Sequence, residues 1–269
     1  MSTRLRWRHD RLALHEHIEA ALANPDRSEL VATSRQRTLL RVAGRHESDH
    51  LLKLFHLRSG PHPWREAAKF HLGVAAPQRE WRALGALASL GVRAPTPLGL
   101  ARLQGGDALI VSSFVEGPTL HALLRADPAG RREDLAALAD VVRDLHAAGW
   151  AHGDLHPGNV IAGPDGPVLI DWQRARACRP GSHRQIEDLG RLDHSLATLD
   201  VPAEARAFVL ERALGSEQQG AQALRAVRAR SRRIRRRHAR RRAREQAVER
   251  PGGQPSSGNS RHSPSPTRS

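Results

Sequence analysis

The sequence predicts an α+β fold of two lobes, a small strand-rich one followed by a mostly helical one. Three observations carry this. Two short apolar runs, residues 38–44 and 50–55, come early and flank a polar turn, as in a hairpin. Apolar residues at helical spacing dominate residues 131–148. A second apolar hairpin, Val160-Ile161 and Val168-Leu169-Ile170 around the turn Gly163-Pro164-Asp165-Gly166, follows that helix.

Residues 1–30 read as an N-terminal helical extension, with a helix from about Arg11 to Ala23 that puts Leu12, His15, Ile18 and Leu22 on one face. Residues 31–116 form the first lobe. Its strands 38–44 and 50–55 enclose the turn from Arg45 to Asp49, and Gly60 to Pro63 is a loop. Pro77 opens a helix whose apolar stripe is Trp81, Leu84, Leu87 and Leu90, and Gly91 closes it. Residues 92–98 are extended and 108–115 form a further strand. The break Gly117-Pro118 puts the hinge near Glu116-Gly117. Residues 117–220 make the second lobe, whose helix 131–148 buries Leu135, Leu138, Val141, Val142 and Leu145. Residues 221–250 form an Arg-rich helix. Residues 251–269, rich in Pro, Ser and Gly, are expected to be disordered.

Charge is unevenly placed. Residues 221–250 hold 13 arginines and two glutamates, so they carry most of the net charge of +15 and the remaining chain is only weakly basic. Lysine is nearly absent: Lys53 and Lys69 stand alone. The single Cys178 excludes an internal disulfide, and the Arg-rich start has no apolar core of a signal peptide. No run is apolar enough to span a bilayer. The expectation is a cytoplasmic protein, peripheral at the cytoplasmic face of the inner membrane where the basic helix meets anionic lipid. No aromatic interleaves those arginines, so nucleic acid is an unlikely partner. A solvated basic helix is the plainer reading of the same residues.

The chemistry concentrates in His152-Gly153-Asp154-Leu155-His156-Pro157-Gly158-Asn159 and in Asp171 at the end of the second hairpin strand. Pro157-Gly158 prevents a regular helix, so the loop can turn Asp154 and Asn159 into one cleft, to which the hairpin returns Asp171. A carboxylate ending an apolar strand is costly to bury unless it meets a cation or donors. Phosphoryl transfer needs this set: a carboxylate for the attacking hydroxyl, and an amide oxygen with a second carboxylate for magnesium. Singly, these residues read as turn caps; in this order and spacing, they read as a kinase site.

The segment resembles the catalytic loop and metal-binding strand of the protein-kinase-like superfamily. His152-Gly153-Asp154 stands where protein kinases carry His-Arg-Asp, and Asp171-Trp172-Gln173 where they carry Asp-Phe-Gly. The run Asp171-Trp172-Gln173-Arg174-Ala175-Arg176 is similar to the lipopolysaccharide core (Kdo/heptose) kinase family, whose Asp-x-x-Arg-Ala-Arg continuation aminoglycoside and choline kinases usually lack. Arg79-Glu80-Trp81 matches the start of a helix in that family. The resemblance implies a two-lobed protein-kinase-like fold, ATP and Mg2+ as cofactors, Asp154 as the catalytic residue, and Asn159 and Asp171 as metal ligands.

Lys53 lies mid-strand and Glu80 near the first turn of the next helix. The pair would neutralise nucleotide phosphates, against the plainer readings of a solvent-facing lysine and a carboxylate at a helix N-terminus. No Gly-x-Gly-x-x-Gly or Walker motif occurs, so phosphate cradling is expected from the Gly44–Asp49 turn. His152 is expected to hold the loop's backbone. His156 has two readings, substrate contact and loop packing. Asp188 likewise reads as a brace for the catalytic loop or as a carboxylate at a helix start.

These readings lead to a Mg-ATP-dependent phosphotransferase acting on a sugar hydroxyl of the lipopolysaccharide core, an anionic saccharide or lipid-linked saccharide. The alternatives are an atypical serine/threonine protein kinase, an aminoglycoside- or choline-type kinase, and a non-catalytic scaffold that binds membrane or nucleic acid through its basic tail.

Overall fold

The computed structural model describes residues 5–11, 14–44, 48–59, 63–215 and 217–249. Residues 251–269, expected to be disordered, lie outside the described residues. Six strands make one antiparallel sheet: β1 (Leu5–Asp10), β2 (Ser28–Thr33), β3 (Arg37–Val42), β4 (His50–Phe55), β5 (Pro97–Leu103) and β6 (Ala108–Ser113). Their spatial order is β1-β5-β6-β4-β3-β2. β4 is interior, with Lys53 opposite Leu39 on β3 and Ile110 on β6.

Strand alternation decides what each face of β4 does. Leu52 belongs to a core cluster with Leu14, Ile18 and Ala21, the residues by which α1 (His15–Ala23) covers one face of the sheet. Phe55 belongs to another cluster with Phe70 and Trp81, supplied by α2 (Pro63–His71) and α3 (Ala76–Ser89). Lys53, two residues before Phe55, shares that second face by the period of two. Burying a leucine such as Leu52, with no exposed surface, stabilises by about 1.5–3 kcal/mol.

The N-terminal segment departs from the expected helical extension. Its helix is shorter, and β1 before it pairs with β5, Leu5 opposite Leu103, so these residues complete the sheet and cover it. The pairing joins strands about ninety residues apart, a contact that local periodicity does not register.

α3 connects the two lobes. Pro77 lies in its first turn, and Gln78 Oε1 accepts from the Ala75 N–H at 3.1 Å. Trp81 packs towards the sheet, whereas Ala83, Leu84 and Leu87 enter the core of the second lobe. That core is built on α4 (Leu120–Ala126), α5 (Arg132–Ala147), α6 (His183–Thr198) and α7 (Ala203–Leu214). Leu135, Leu138, Val142 and Leu145 form the buried stripe of α5, with Val141 at its edge.

After α5, β7 (Trp150–Ala151) leads into the loop, and the hairpin β8 (Val160–Gly163) with β9 (Gly166–Leu169) follows as expected. β10 (Arg176–Ala177) returns to pair with β7. Gly117 at the hinge has φ 129°, and a Cβ there would run into the Ala162 carbonyl. Only glycine lets the hinge lie this close to the hairpin.

α8 (Glu217–Glu249) spans the boundary between two units, residues 1–234 and 235–269. Within the first, Val227 and Ser231 are buried and Arg230 pairs with Glu187. In the second, the side chains of residues 235–244 are all exposed. No helix of the described residues is long and apolar enough to cross a membrane.

Candidate active site

Four charged side chains meet where the sheet faces the β8–β9 hairpin. Lys53 Nζ donates to Glu80 Oε1 and Oε2 at 3.0 and 2.8 Å, and to Asp171 Oδ1 at 2.8 Å. Arg37 Nη1 donates to the other Asp171 oxygen, Oδ2, at 2.9 Å. Lys53 and Glu80 are 6% and 5% exposed, which sets aside a solvent-facing lysine. Burial pushes the Glu80 pKa up, opposed by the Lys53 ammonium. Burial would also raise Asp171, but Lys53 and Arg37 outweigh it and hold that carboxyl below the usual range. Asp171 has φ 67° and ψ 63°, a left-handed conformation uncommon outside glycine, and its two cation contacts fix it there.

The loop is held from beneath by Asp188, which is completely buried. Its Oδ2 accepts from the His152 N–H at 2.6 Å and its Oδ1 from the Gly153 N–H at 2.9 Å. Asp188 is the sixth residue of α6, past the first turn, so it is the loop brace and not a carboxylate at the helix start. The Arg179–Ser182 turn delays the onset of the helix.

His152 lies within 2.9 Å of the Ile170 carbonyl through Nε2, and its Nδ1 is 3.3 Å from the Asp154 N–H. This pattern suits a neutral ring with the proton on Nε2, and burial lowers its pKa in the same sense. The ring also packs on Trp172, centroids 4.6 Å apart. His152 therefore ties the loop to the strand that carries Asp171. His156 Nδ1 accepts from the Gly158 N–H at 3.1 Å, which gives that ring a loop-building role.

Gly153 has φ 81°, and a Cβ there would meet the Arg174 carbonyl. The position cannot carry the arginine that protein kinases have between His and Asp. Asn159 is 8% exposed; its Nδ2 donates to the Asp154 carbonyl at 2.9 Å, which leaves Oδ1 as an acceptor. The Ile170 N–H donates to the Asn159 carbonyl at 3.0 Å, placing Asp171 next to Asn159 across the hairpin. Asp154 is partly exposed and lies 3.4 Å from Arg174 Nη1. All five residues expected at the site, Lys53, Glu80, Asp154, Asn159 and Asp171, lie on elements that converge here.

Two features differ from expectation. The Gly44–Asp49 turn, proposed to cradle phosphates, is at the hinge end of the sheet. There Asp49 holds the Gly44 N–H, the Phe114 N–H meets the Asp49 carbonyl, and Arg41 bridges Asp49 and Glu116. Four residues of strand at about 3.3 Å each separate Asp49 from Lys53. The turn at the Asp171 end is Ser34–Gln36, closed by the Ser34 N–H on the Arg37 carbonyl at 2.8 Å. Arg37 itself was not foreseen, because it reaches Asp171 only through the register of β3 against β4. A cavity of about 920 Å3 around Arg143, His146, Gln185 and Ala226 lies among α5 to α8 and contains none of the site's groups.

Residues 24–212 match the lipopolysaccharide kinase (Kdo/WaaP) family. The chain belongs to that family. Within the Kdo/WaaP fold, the match takes in Lys53, Glu80, the catalytic-type loop and the Asp188 brace. The chain is also similar to a putative cyclin-dependent kinase F-2 of Oryza sativa subsp. japonica, 36% identical over 81 residues, 27% of this chain and 25% of that protein. A serine/threonine-protein kinase, PkaA of Streptomyces coelicolor, is 34% identical over 97 residues, 33% of this chain and 18% of its own. The chain thus spans a quarter or less of these curated relatives. Among solved structures, amicoumacin kinase hAmiN in complex with AMP-PNP, Ca2+ and Ami superposes with a TM-score of 0.55 at 14% identity, covering 78% of each chain. At that identity the likeness is one of fold: a protein-kinase-like chain of two lobes.

Proposed function

We propose that this Kdo/WaaP-family protein transfers the γ-phosphoryl group of Mg-ATP to a sugar hydroxyl of the lipopolysaccharide core. The observation that carries the reading is that Asn159 and Asp171 flank the β8–β9 hairpin, with Asp154 on the loop bonded to Asn159 and Asp171 bonded to the buried Lys53–Glu80 pair. In this reading Asp154 accepts the hydrogen bond of the acceptor hydroxyl and takes its proton as the oxygen attacks phosphorus. A new oxygen–phosphorus bond forms, the bond between the γ-phosphorus and the β,γ-bridging oxygen breaks, and ADP leaves. Lys53, held by Glu80, neutralises the phosphates.

Magnesium fits the donor set. Asn159 Oδ1 and the Asp171 carboxylate are hard oxygen donors, and no group of three His, Cys, Asp or Glu gathers into an all-protein metal site among the described residues. That suits an ion that binds through one or two protein oxygens and completes its shell with phosphates and water. Bound there, it would supply charge neutralisation at the phosphate oxygens. Asp171 would exchange its Arg37 contact for the ion. The use of an ATP analogue by the fold neighbour amicoumacin kinase supports the choice of nucleotide.

The exposed arginines of α8 support a peripheral location at an anionic membrane surface, where each basic residue contributes about 1 kcal/mol. Similarity to PkaA favours one second reading, a protein hydroxyl as acceptor. Labelled ATP with magnesium and a panel of core oligosaccharides, casein and aminoglycosides separates the readings. Label on a core saccharide is expected; label on protein alone would remove the saccharide assignment.

A further inference from the structure

A small basic pocket opens beside the catalytic-type loop. It has a volume of about 130 Å3 and is lined by Arg174, Arg176, Arg184, Arg191 and Glu187, with Ala151 and Gly153 as its floor. A pocket of this size has room for one compact ion. Gly153 directly precedes Asp154, so anything in the pocket lies next to the acceptor side of the site.

The carboxylates nearby are already committed. Glu187 is paired with Arg230, and its other oxygen is 4.0 Å from Arg191. Asp188 is occupied by the two backbone N–H groups of the loop. Of the arginines, Arg191 stands 3.7 Å from Asp188 as well as near Glu187, but two others keep their donors open. Arg184 has no hydrogen-bond or ion-pair partner among the described residues, and Arg176 meets only the Ala175 carbonyl. Arg191 places one of its five donors on the Gly153 carbonyl at 2.6 Å, and Arg174 reaches Asp154 only at 3.4 Å. Glu187 offsets only part of the charge of four arginines around so small a space, and guanidinium forks match carboxylate and phosphate oxygens.

We propose that this pocket anchors one carboxylate or phosphate group of the acceptor while Asp154 receives the hydroxyl beside it. The assignment rests on the phosphotransfer reading above and adds where the acceptor's charge is held. Arg174 links the two events. Drawn onto the bound anion, it leaves Asp154, whose carboxylate then becomes available to the hydroxyl. An acceptor lacking the anionic group leaves Arg174 on Asp154, so selection acts on the same carboxylate that does the chemistry.

The test uses the full chain, saturated with AMP-PNP and magnesium so that the nucleotide site is closed to free anions. Inorganic phosphate and acetate are titrated by calorimetry into the wild type and into an Arg176→Gln, Arg184→Gln double variant, with nucleotide affinity as the folding control. Transfer is then measured to a carboxylated, a phosphorylated and a neutral saccharide. The double variant should bind phosphate at least tenfold more weakly and show an acceptor KM at least tenfold higher, with kcat changed less than threefold. The carboxylated and phosphorylated saccharides identify which anion is preferred. Equal phosphate affinity in both proteins, or equal use of the neutral saccharide, overturns the subsite. Failure of the wild type to label any acceptor removes the phosphotransfer reading instead, and the calorimetry still decides whether the pocket takes an anion.

Discussion

Arg37 Nη1 lies 2.9 Å from Asp171 Oδ2, on the opposite side of the carboxylate from Lys53. The carboxylate expected to receive a metal is thus held by two cations, one from β4 and one from the first residue of β3. Arg37 stands beside the Ser34–Gln36 turn, at the Asp171 end of the sheet. With Lys53, the guanidinium favours the ionised form of that carboxylate and orients it.

Replacing Arg37 by Ala should therefore cost about 1 kcal/mol, lowering the melting temperature by roughly 2–4 °C at pH 7. The sign with pH follows from Asp171, whose folded pKa lies below its unfolded value of about 3.9. Its contribution is present above that unfolded value and is lost as pH falls through the lower folded pKa. Thermal melts of both proteins from pH 7 to pH 3 should converge at the acid end. A difference that grows on acidification would contradict the ion-pair account.

Lys53→Met removes the ammonium that both Glu80 oxygens and Asp171 Oδ1 share. Two buried carboxylates then face each other, and breaking such a pair typically costs about 3–5 kcal/mol. Urea unfolding at pH 7 should show this loss. Glu80 already has a raised pKa from burial, and without Lys53 it rises further, so part of the loss should be recovered as pH falls and Glu80 protonates. A loss below about 1 kcal/mol would mean that the charges are solvated.

Asp188→Asn keeps the shape but leaves one acceptor for the two buried N–H groups of His152 and Gly153. An orphaned buried donor costs about 1–3 kcal/mol. Because the displaced backbone carries Asp154, kcat should fall about tenfold or more with little change in the KM for ATP. Unchanged kcat in a destabilised protein would limit Asp188 to stability.

Gly153→Ala should be worse than its size suggests. The positive φ costs about 1–2 kcal/mol for an L residue, and the added Cβ meets the Arg174 carbonyl. Loss of soluble protein or of activity is expected; a fully active, stable variant would contradict the local geometry.

The site was legible where its determinants are local. Pro157-Gly158 and the Gly163–Gly166 turn dictate a loop and a hairpin from adjacent residues, and these place Asp154, Asn159 and Asp171. Lys53 followed from its place on an alternating strand, and Glu80 from the next helix. β1 and Arg37 were not legible, since each is defined by a register between distant segments, β1 against β5 and β3 against β4. The Gly44–Asp49 turn misled because a lone glycine marks a turn without saying which end of the sheet it occupies. Asp188 was ambiguous until the Arg179–Ser182 turn showed where α6 begins.

We propose that Asp154 serves the acceptor hydroxyl in phosphoryl transfer. The most direct measurement is the rate of label transfer from ATP to a core oligosaccharide by the wild type and by Asp154→Ala, each with magnesium and matched nucleotide occupancy. Removal of a positioned general base lowers kcat by about 10^2–10^4-fold, with nucleotide affinity nearly unchanged, and that is the expected result. Equal transfer by the two proteins would contradict it.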